Sequence, residues 1–133
     1  MSVESDIVTS YRTLAVVGLS SDETRESYSV TKYMQDRGYR IIPVNPLETE
    51  VLGEQSYPDL TSIPKPPEVV VVFRRSEFVP EIVDQAIAVG AKAIWLQEGI
   101  THDEAAVRAC TAGLQVVQSR CIRTVHRRIA LSA

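Results

Sequence analysis

The side chains best suited to chemistry lie in a short hydroxyl-rich stretch that follows Gly18. Ser20 and Ser27 can donate hydrogen bonds to phosphate oxygens, and Arg25 can pair with their negative charge. A helix is predicted to begin near Tyr28, and the free N–H groups at a helix N-terminus favour an anion. The stretch therefore predicts a phosphate site, with a helix-capping serine and a solvated arginine as the alternative interpretation.

A dinucleotide of the NAD type fits this turn poorly. Its usual fingerprint needs three closely spaced glycines, and Gly18 stands alone. It also needs an acidic residue at the end of the second predicted strand, where Asn45 and Pro46 stand and the next carboxylate is Glu48. A dehydrogenase would also need a second substrate-binding region, for which 133 residues leave little room. The residues alone leave open which phosphate-bearing ligand binds.

Other kinds of chemistry are not indicated. Cys110 and Cys121 form no CxxC pair, and neither has metal-like spacing to His102 or His126, so no metal site is expected. Neither histidine has a partner that the sequence identifies, and no Ser–His–Asp order or paired carboxylates stand out. No catalytic residue is predicted, and Cys110, inside an alanine-rich helix, is expected to lie in the core.

The composition is that of one globular domain. With 133 residues, of which 44% are hydrophobic and 23% charged, the chain is expected to form a single domain over residues 1–133. A net charge of −3 argues against nucleic acid or an anionic membrane as partner. No apolar run approaches the roughly 20 residues of a membrane span, and the N-terminal MSVESDIVTS is too polar for a signal peptide. A cytoplasmic location is therefore expected.

Apolar runs predict the strands that must position these side chains, over residues 14–17, 40–44, 69–73, 93–96 and 115–117. Most are continuous runs rich in Val and Ile, which suit parallel strands buried on both faces. Helices are predicted over 29–37, 76–89 and 103–112, with further helical stretches near 5–12 and in the tail 121–133.

This alternation predicts an α/β fold with a doubly wound sheet of five parallel strands, most simply ordered 3-2-1-4-5. The proline-rich segment 45–67 is expected to cross the sheet edge as an ordered irregular connection with a short helix near 59–62. Ligands of such sheets bind beyond the carboxyl ends of the strands, where the strand order reverses. The loop after the first strand is therefore the expected site.

Five stretches together resemble a known family: AVVGLSSDETRESYSVTKYM (15–34), GYRIIPVNP (38–46), VLGEQSYPDL (51–60), VVVVFRRSEFVPEIVDQAIAVGAKAIWLQEGI (69–100) and SRCIRTVHRR (119–128). In this order and at these separations, over about residues 5–128, the chain resembles the small CoA-binding proteins built from one Rossmann-like domain. These are related to the CoA-binding domain of succinyl-CoA synthetase alpha subunits. The resemblance implies a three-layer α/β/α fold that binds coenzyme A. One departure is Glu26, which stands where the family usually has a proline.

The resemblance also implies where CoA lies along the carboxyl edge of the sheet. The pyrophosphate is assigned to the glycine turn and helix start, at Gly18, Ser20, Arg25 and Ser27, with Tyr28 flanking the ligand. The adenosine end is assigned to Asn45, Pro46, Phe73, Arg74, Arg75, Val79 and Ile82. The pantetheine arm is assigned to Trp95, Gln97 and Gly99.

Cys121 follows the fifth predicted strand, so its thiol is expected to open toward the same edge as the pantetheine arm. One hypothesis is that Cys121 forms a mixed disulfide with CoA under oxidation. The alternative is that Cys121 serves only as a small apolar residue at a strand end.

The favoured function is a non-enzymatic module that binds CoA or an acyl-CoA as a carrier or sensor. The alternatives are a subunit of a CoA-dependent enzyme that needs a partner domain, and a binder of another adenine nucleotide.

Overall fold

Strands and helices alternate along the chain in the computed structural model, which describes residues 2–132. The helices are α1 Val3–Ser10, α2 Glu26–Asp36, α3 Val79–Ala88, α4 Asp103–Thr111 and α5 Ile122–Ser132. The strands are β1 Thr13–Val17, β2 Arg40–Val44, β3 Glu50–Val51, β4 Glu54–Gln55, β5 Val69–Val72, β6 Ala93–Leu96 and β7 Gln115–Val117. Short 3₁₀ helices cover Leu60–Ser62 and Ser76–Phe78. No helix within residues 2–132 is long and apolar enough to cross a membrane.

Five of these strands form one parallel sheet in the order β2-β1-β5-β6-β7. Every residue of β5 and β6 is buried, as their continuous apolar sequences predict. In β1, Leu14 and Val16 pack into the core on one face of the sheet, and Ala15 and Val17 pack into the core on the other. Since helices cover both faces, the predicted doubly wound, three-layer α/β/α class is confirmed.

The predicted strand order is corrected by the structure. Counted along the chain, the five parallel strands lie in the order 2-1-3-4-5 instead of 3-2-1-4-5, because β5 pairs with β1 and not with β2. Pro43 accounts for this difference. Its carbonyl faces outward and accepts a hydrogen bond from the Tyr57 N–H at 3.0 Å, and proline has no N–H to offer a further strand on that side. β2 is therefore an edge strand, which only a single bridge between Val44 and Tyr57 extends.

The connection between β2 and β5 is more regular than the sequence predicts. β3 and β4 form a small antiparallel hairpin within it. Leu52 and Gly53 have φ values of +54° and +80°, as the central residues of a type I′ turn require. The expected short helix is present at Leu60–Ser62, where the Asp59 carboxylate accepts a hydrogen bond from the Ser62 N–H at 2.9 Å.

Two local expectations are wrong. α2 begins at Glu26, earlier than predicted, with Arg25 at its N-cap position and no side-chain capping bond, so Ser27 and Ser29 do not cap it. Cys110 is exposed on α4 and does not lie in the core. The buried face of α4 is occupied by Ala105, Ala106 and Ala109. Because successive helical residues point in directions about 100° apart, Cys110 faces away from that side.

His126 joins α5 to α2 and to the residue before β2. Its Nδ1 lies 2.9 Å from the Tyr33 hydroxyl, and its ring makes edge-on contacts with the rings of Tyr33 and Tyr39. Burial, followed by the positive charges of Arg37 and Arg12, lowers the pKa of His126 from its ordinary value of 6.5. The folded protein therefore resists protonation of this ring more than the unfolded chain does.

A pH dependence of stability follows from this lowered pKa. As the pH falls below 6.5, the unfolded chain takes up the His126 proton before the folded protein does, so stability is lost in that range. We expect the melting temperature to fall more in the wild type than in His126→Gln between about pH 7.5 and about pH 5.5. Thermal unfolding followed by circular dichroism measures this difference. Parallel pH profiles for the two proteins would show that His126 is not responsible.

Candidate functional site

Two cavities open side by side at the carboxyl ends of the strands, and Arg74 lines both. Cavity A, of about 280 Å³, lies on the α3 side of the sheet and is lined by Val17, Val44, Pro46, Leu60, Phe78 and Ile82 among others. Cavity B, of about 460 Å³, lies toward α2 and α5 and is lined by Glu26, Phe73, Ser76, Gln97, Gly99 and Cys121 among others. The strand order reverses between β1 and β5, so both cavities lie at the topological switch point.

The turn after β1 brings three loops together. Gly18 has a φ of +88°, and its N–H donates to the Val44 carbonyl at 2.9 Å. A Cβ atom at Gly18 would lie 2.8 Å from the Phe73 carbonyl oxygen and 3.1 Å from Cδ of Arg74. Glycine is therefore required at this position by the chain's own backbone after β5. The Arg74 side chain runs directly over this turn.

Ser20 and Ser27 close the loop between β1 and α2. The Ser20 N–H donates to the buried Ser27 hydroxyl oxygen at 3.1 Å, and the Ser20 hydroxyl oxygen accepts from the Asp22 N–H at 3.0 Å. The N–H groups of Glu26 and Ser27, at the start of α2, have no acceptor within residues 2–132. The serines thus shape the loop, and the helix start keeps two free donors for an anion.

The loop after β2 is tied to the loop after β1. The Asn45 side-chain N–H donates to the Leu19 carbonyl at 3.0 Å, and its Oδ1 accepts from the Leu47 N–H at 2.9 Å. Glu48, to which sequence reasoning gave no role, accepts from both the N–H and the hydroxyl of Ser21, at 2.8 and 2.9 Å. Both polar groups of the Asn45 side chain therefore form hydrogen bonds that hold these loops in position.

The three predicted arginines differ in their surroundings. Arg74 packs on the Phe78 ring, with 4.2 Å from its guanidinium carbon to the ring centroid, and no carboxylate among the described residues pairs with it. Arg75 is exposed and pairs with Glu77 at 3.4 Å. Arg25 is also exposed, 4.0 Å from Asp22. Arg74 therefore supplies a positive charge between the two cavities. Four carboxylates also line the cavities without forming an ion pair with it, those of Asp59, Glu81, Glu26 and Glu98.

Asp22 and Asp59 hold the loops that flank the site. Hydrogen bonds from the hydroxyl and backbone of Thr24 are the main causes that lower the pKa of Asp22. Hydrogen bonds from the hydroxyls of Ser62 and Thr61 lower the pKa of Asp59 in the same way. Both carboxylates therefore serve as acceptors within their own turns.

Eight of the predicted contact residues line neither cavity, namely Gly18, Ser20, Arg25, Ser27, Tyr28, Asn45, Val79 and Trp95. Trp95 and Val79 are completely buried in the core. Tyr28 packs against the core and lines a separate cleft between α2 and α5. Among the other predicted apolar residues, Ile82 lines cavity A and Phe73 lines cavity B.

The ends of β6 and β7 are held together beside cavity B. The Trp95 indole N–H donates to the Arg120 carbonyl at 2.8 Å. Oε1 of Gln97, a residue only 5% exposed, accepts from the Ile122 N–H at 3.1 Å. The Gly99 N–H donates to the Ser119 hydroxyl at 3.0 Å. These bonds fix the segment 119–122 at the cavity wall.

Sequence reasoning missed the far wall of cavity A. Pro58, Asp59 and Leu60 line it, and the Leu60 N–H donates to Oε1 of Gln85 on α3 at 3.1 Å. The signal was present in the motif VLGEQSYPDL, to which no contact role was assigned. Phe78, beneath Arg74, was also missed. No cluster of His, Cys, Asp or Glu within residues 2–132 could hold a metal ion.

The fold and the edge site together define a Rossmann-like α/β protein with two adjoining cavities at the switch point of its sheet. The CoA binding domain family matches residues 12–127, and the chain belongs to this family. The resemblance found in the sequence is thereby confirmed.

Several relatives are similar over most of this chain. Uncharacterized protein YneT of Bacillus subtilis is 39% identical over 121 residues, which are 91% of this chain and 90% of the relative. The solved structure of a hypothetical protein from Pyrococcus horikoshii OT3 is 38% identical, covers 98% of this chain and 93% of its own, and has a TM-score of 0.93. The acetate–CoA ligase [ADP-forming] II subunit alpha of Pyrococcus furiosus is 24% identical over 133 residues. That match spans 92% of this chain and 29% of the ligase subunit.

Proposed function

We propose that this protein binds coenzyme A, free or acylated, along the carboxyl edge of its sheet, as a carrier or sensor module. The observation that carries the proposal is the pair of cavities that meet at Arg74, beside the Gly18 turn. CoA has an adenosine end and a pantetheine end, which its phosphates join. Two cavities that adjoin at the positively charged Arg74 match this arrangement. Membership of the CoA binding domain family supports this choice of ligand.

Cavity A suits the adenine end of CoA. Val17, Val44 and Ile82 give it apolar walls, and Phe78 lies at its border beneath Arg74. Apolar walls with a few polar groups are typical of sites for flat heteroaromatic ligands. Asp59, Glu81 and Gln85 add a polar rim.

The phosphates of CoA suit the region between the cavities. Within residues 2–132, the Arg74 guanidinium there pairs with no carboxylate, and the N–H groups of Glu26 and Ser27 at the start of α2 have no acceptor. Charge-assisted hydrogen bonds of this kind are about twice as strong as neutral ones. Arg25 is exposed at the same helix start, so its side chain can turn toward a bound phosphate. Glu26 lines cavity B, so its carboxylate must turn away from a phosphate that binds at this helix start.

Cavity B suits the pantetheine arm. Phe73 and Ile100 supply apolar contacts, while Gln97 and the backbone near Gly99 supply polar ones. A chain that carries two amides among methylene groups needs this mixture of surfaces. The arm would then end beside Cys121.

A ligand series tests the proposal directly. Since a ligand that binds only the folded state raises its stability, thermal melts with CoA, dephospho-CoA, NAD and AMP at one concentration rank their affinities. We expect the largest rise in melting temperature with CoA and the smallest rises with NAD and AMP. An NAD shift equal to the CoA shift would contradict the proposal and favour a general adenine nucleotide site.

A second candidate function is that of a subunit in a CoA-dependent ligase. It is favoured by the similarity to the Pyrococcus furiosus ligase subunit, of which this chain spans 29%. On this alternative, CoA-thioester formation appears only when the chain is mixed with a partner that supplies the remaining domains. Binding of CoA without such activity supports the carrier or sensor role.

A further inference from the structure

Cys121 occupies a rigid position at the wall of cavity B, between the end of β7 and the start of α5. The carbonyl before it, that of Arg120, is held by the Trp95 indole N–H at 2.8 Å. The N–H after it, that of Ile122, is held by Oε1 of Gln97 at 3.1 Å. Both partners come from the buried end of β6, so the backbone that carries this half-buried thiol is fixed from both sides.

The same cavity is lined by a side-chain amide donor that has no acceptor within residues 2–132. Gln97 is 5% exposed, and its Oε1 is engaged by Ile122. Its amide nitrogen has no acceptor among the described residues, and Gln97 lines cavity B. An amide N–H that opens from a largely buried side chain into a cavity can donate to a carbonyl oxygen of a ligand there. The amides of a pantetheine arm supply such oxygens.

We propose that Cys121 is a site of reversible mixed-disulfide formation with CoA, an inference that rests on the proposed function. The co-reactant is CoA disulfide, of which one half occupies the site. The Cys121 thiolate attacks the bound half's sulfur, the Sγ–S bond forms, and the S–S bond of CoA disulfide breaks. The second CoA leaves with the electron pair and takes a proton from water. One disulfide replaces another, so no further oxidant is needed.

Cys110 provides an internal control for this reaction. It is exposed on α4, and it lines neither cavity. If exposure alone governed reactivity, Cys110 would react faster than the half-buried Cys121 with every disulfide. If the site binds CoA, Cys121 reacts faster with CoA disulfide alone, because binding makes the attack effectively intramolecular.

The test compares CoA disulfide with hydroxyethyl disulfide, a small reagent that has no nucleotide, on the full chain. Peptide mass mapping measures the modification rate at each cysteine, with Cys110→Ser and Cys121→Ser as matched variants. We expect CoA disulfide to modify Cys121 about tenfold or more faster than Cys110, and hydroxyethyl disulfide to show no such preference. Arg74→Ala should slow only the CoA disulfide reaction at Cys121, and dithiothreitol should remove the adduct.

Failure of this inference is distinguishable from failure of the proposed function. Thermal melts of Cys121→Ser with reduced CoA report binding without the thiol. A rise in melting temperature together with equal CoA disulfide rates at both cysteines would overturn the mixed disulfide and leave CoA binding in place. No rise, together with equal rates, would overturn both.

Discussion

Arg74→Ala is expected to weaken CoA binding by about tenfold to a hundredfold, because an arginine–phosphate contact is worth about 1.5–3 kcal/mol. Arg74 is the arginine that lines both cavities, and no carboxylate among the described residues forms an ion pair with it. Its removal also costs the stacking on Phe78, worth about 0.5–1 kcal/mol, so the free energy of unfolding should change little. Calorimetric titration with CoA at two salt concentrations measures the loss and its electrostatic part.

Arg75→Ala is the matched control for this substitution. Arg75 is adjacent in sequence and lines cavity B alone, and because it is exposed and paired with Glu77, its loss should weaken CoA binding much less than the loss of Arg74. Arg25→Ala should weaken binding clearly if the exposed side chain turns toward the phosphates. An equal loss for Arg75→Ala and Arg74→Ala would mean that general positive charge, and not the position of Arg74, attracts the ligand.

Gly18→Ala is expected to be the most destabilising small substitution in the site, at about 3 kcal/mol or more. Two costs combine: a φ of +88°, which L-residues rarely adopt, and a Cβ only 2.8 Å from the Phe73 carbonyl oxygen. Because the obstacle is backbone, relief requires the loop after β5 to move, and Arg74 would move with it. CoA binding should therefore fall together with stability.

Gly38→Ala separates the two costs. Gly38 has a similar φ of +91°, but no atom lies within 4 Å of its added Cβ, so only the backbone cost of about 1–2 kcal/mol applies. Urea unfolding of both variants gives the difference, which measures the close approach at Gly18. Equal losses in the two variants would show that the contact with Phe73 relaxes without cost.

The fold class was predictable because its signal is local. Continuous valine-rich runs such as β5 suit strands buried on both faces, and glycines mark the helix ends. The strand order was not predictable, because the pairing of β5 with β1 joins segments that are far apart in the sequence. Pro43 was the available signal, since a proline has no N–H for a further strand and is therefore found in edge strands.

The site was predictable where topology alone decides position. Gly18 and Gln97 directly follow buried strands, and Arg74 is the second residue after one, so all three lie at the carboxyl edge of the sheet. Trp95 lies inside β6, where alternation turns its side chain into the core, so it lines neither cavity. The wall formed by residues 58–60 was missed because it reaches cavity A from a distant irregular segment.

A crystal structure of the protein with CoA tests the central claim most directly. The proposal predicts the adenine in cavity A between Ile82 and Leu60, the phosphates beside Arg74 and the start of α2, and the CoA sulfur in cavity B within reach of Cys121. Electron density for CoA in the cleft between α2 and α5, with both cavities empty, would contradict it.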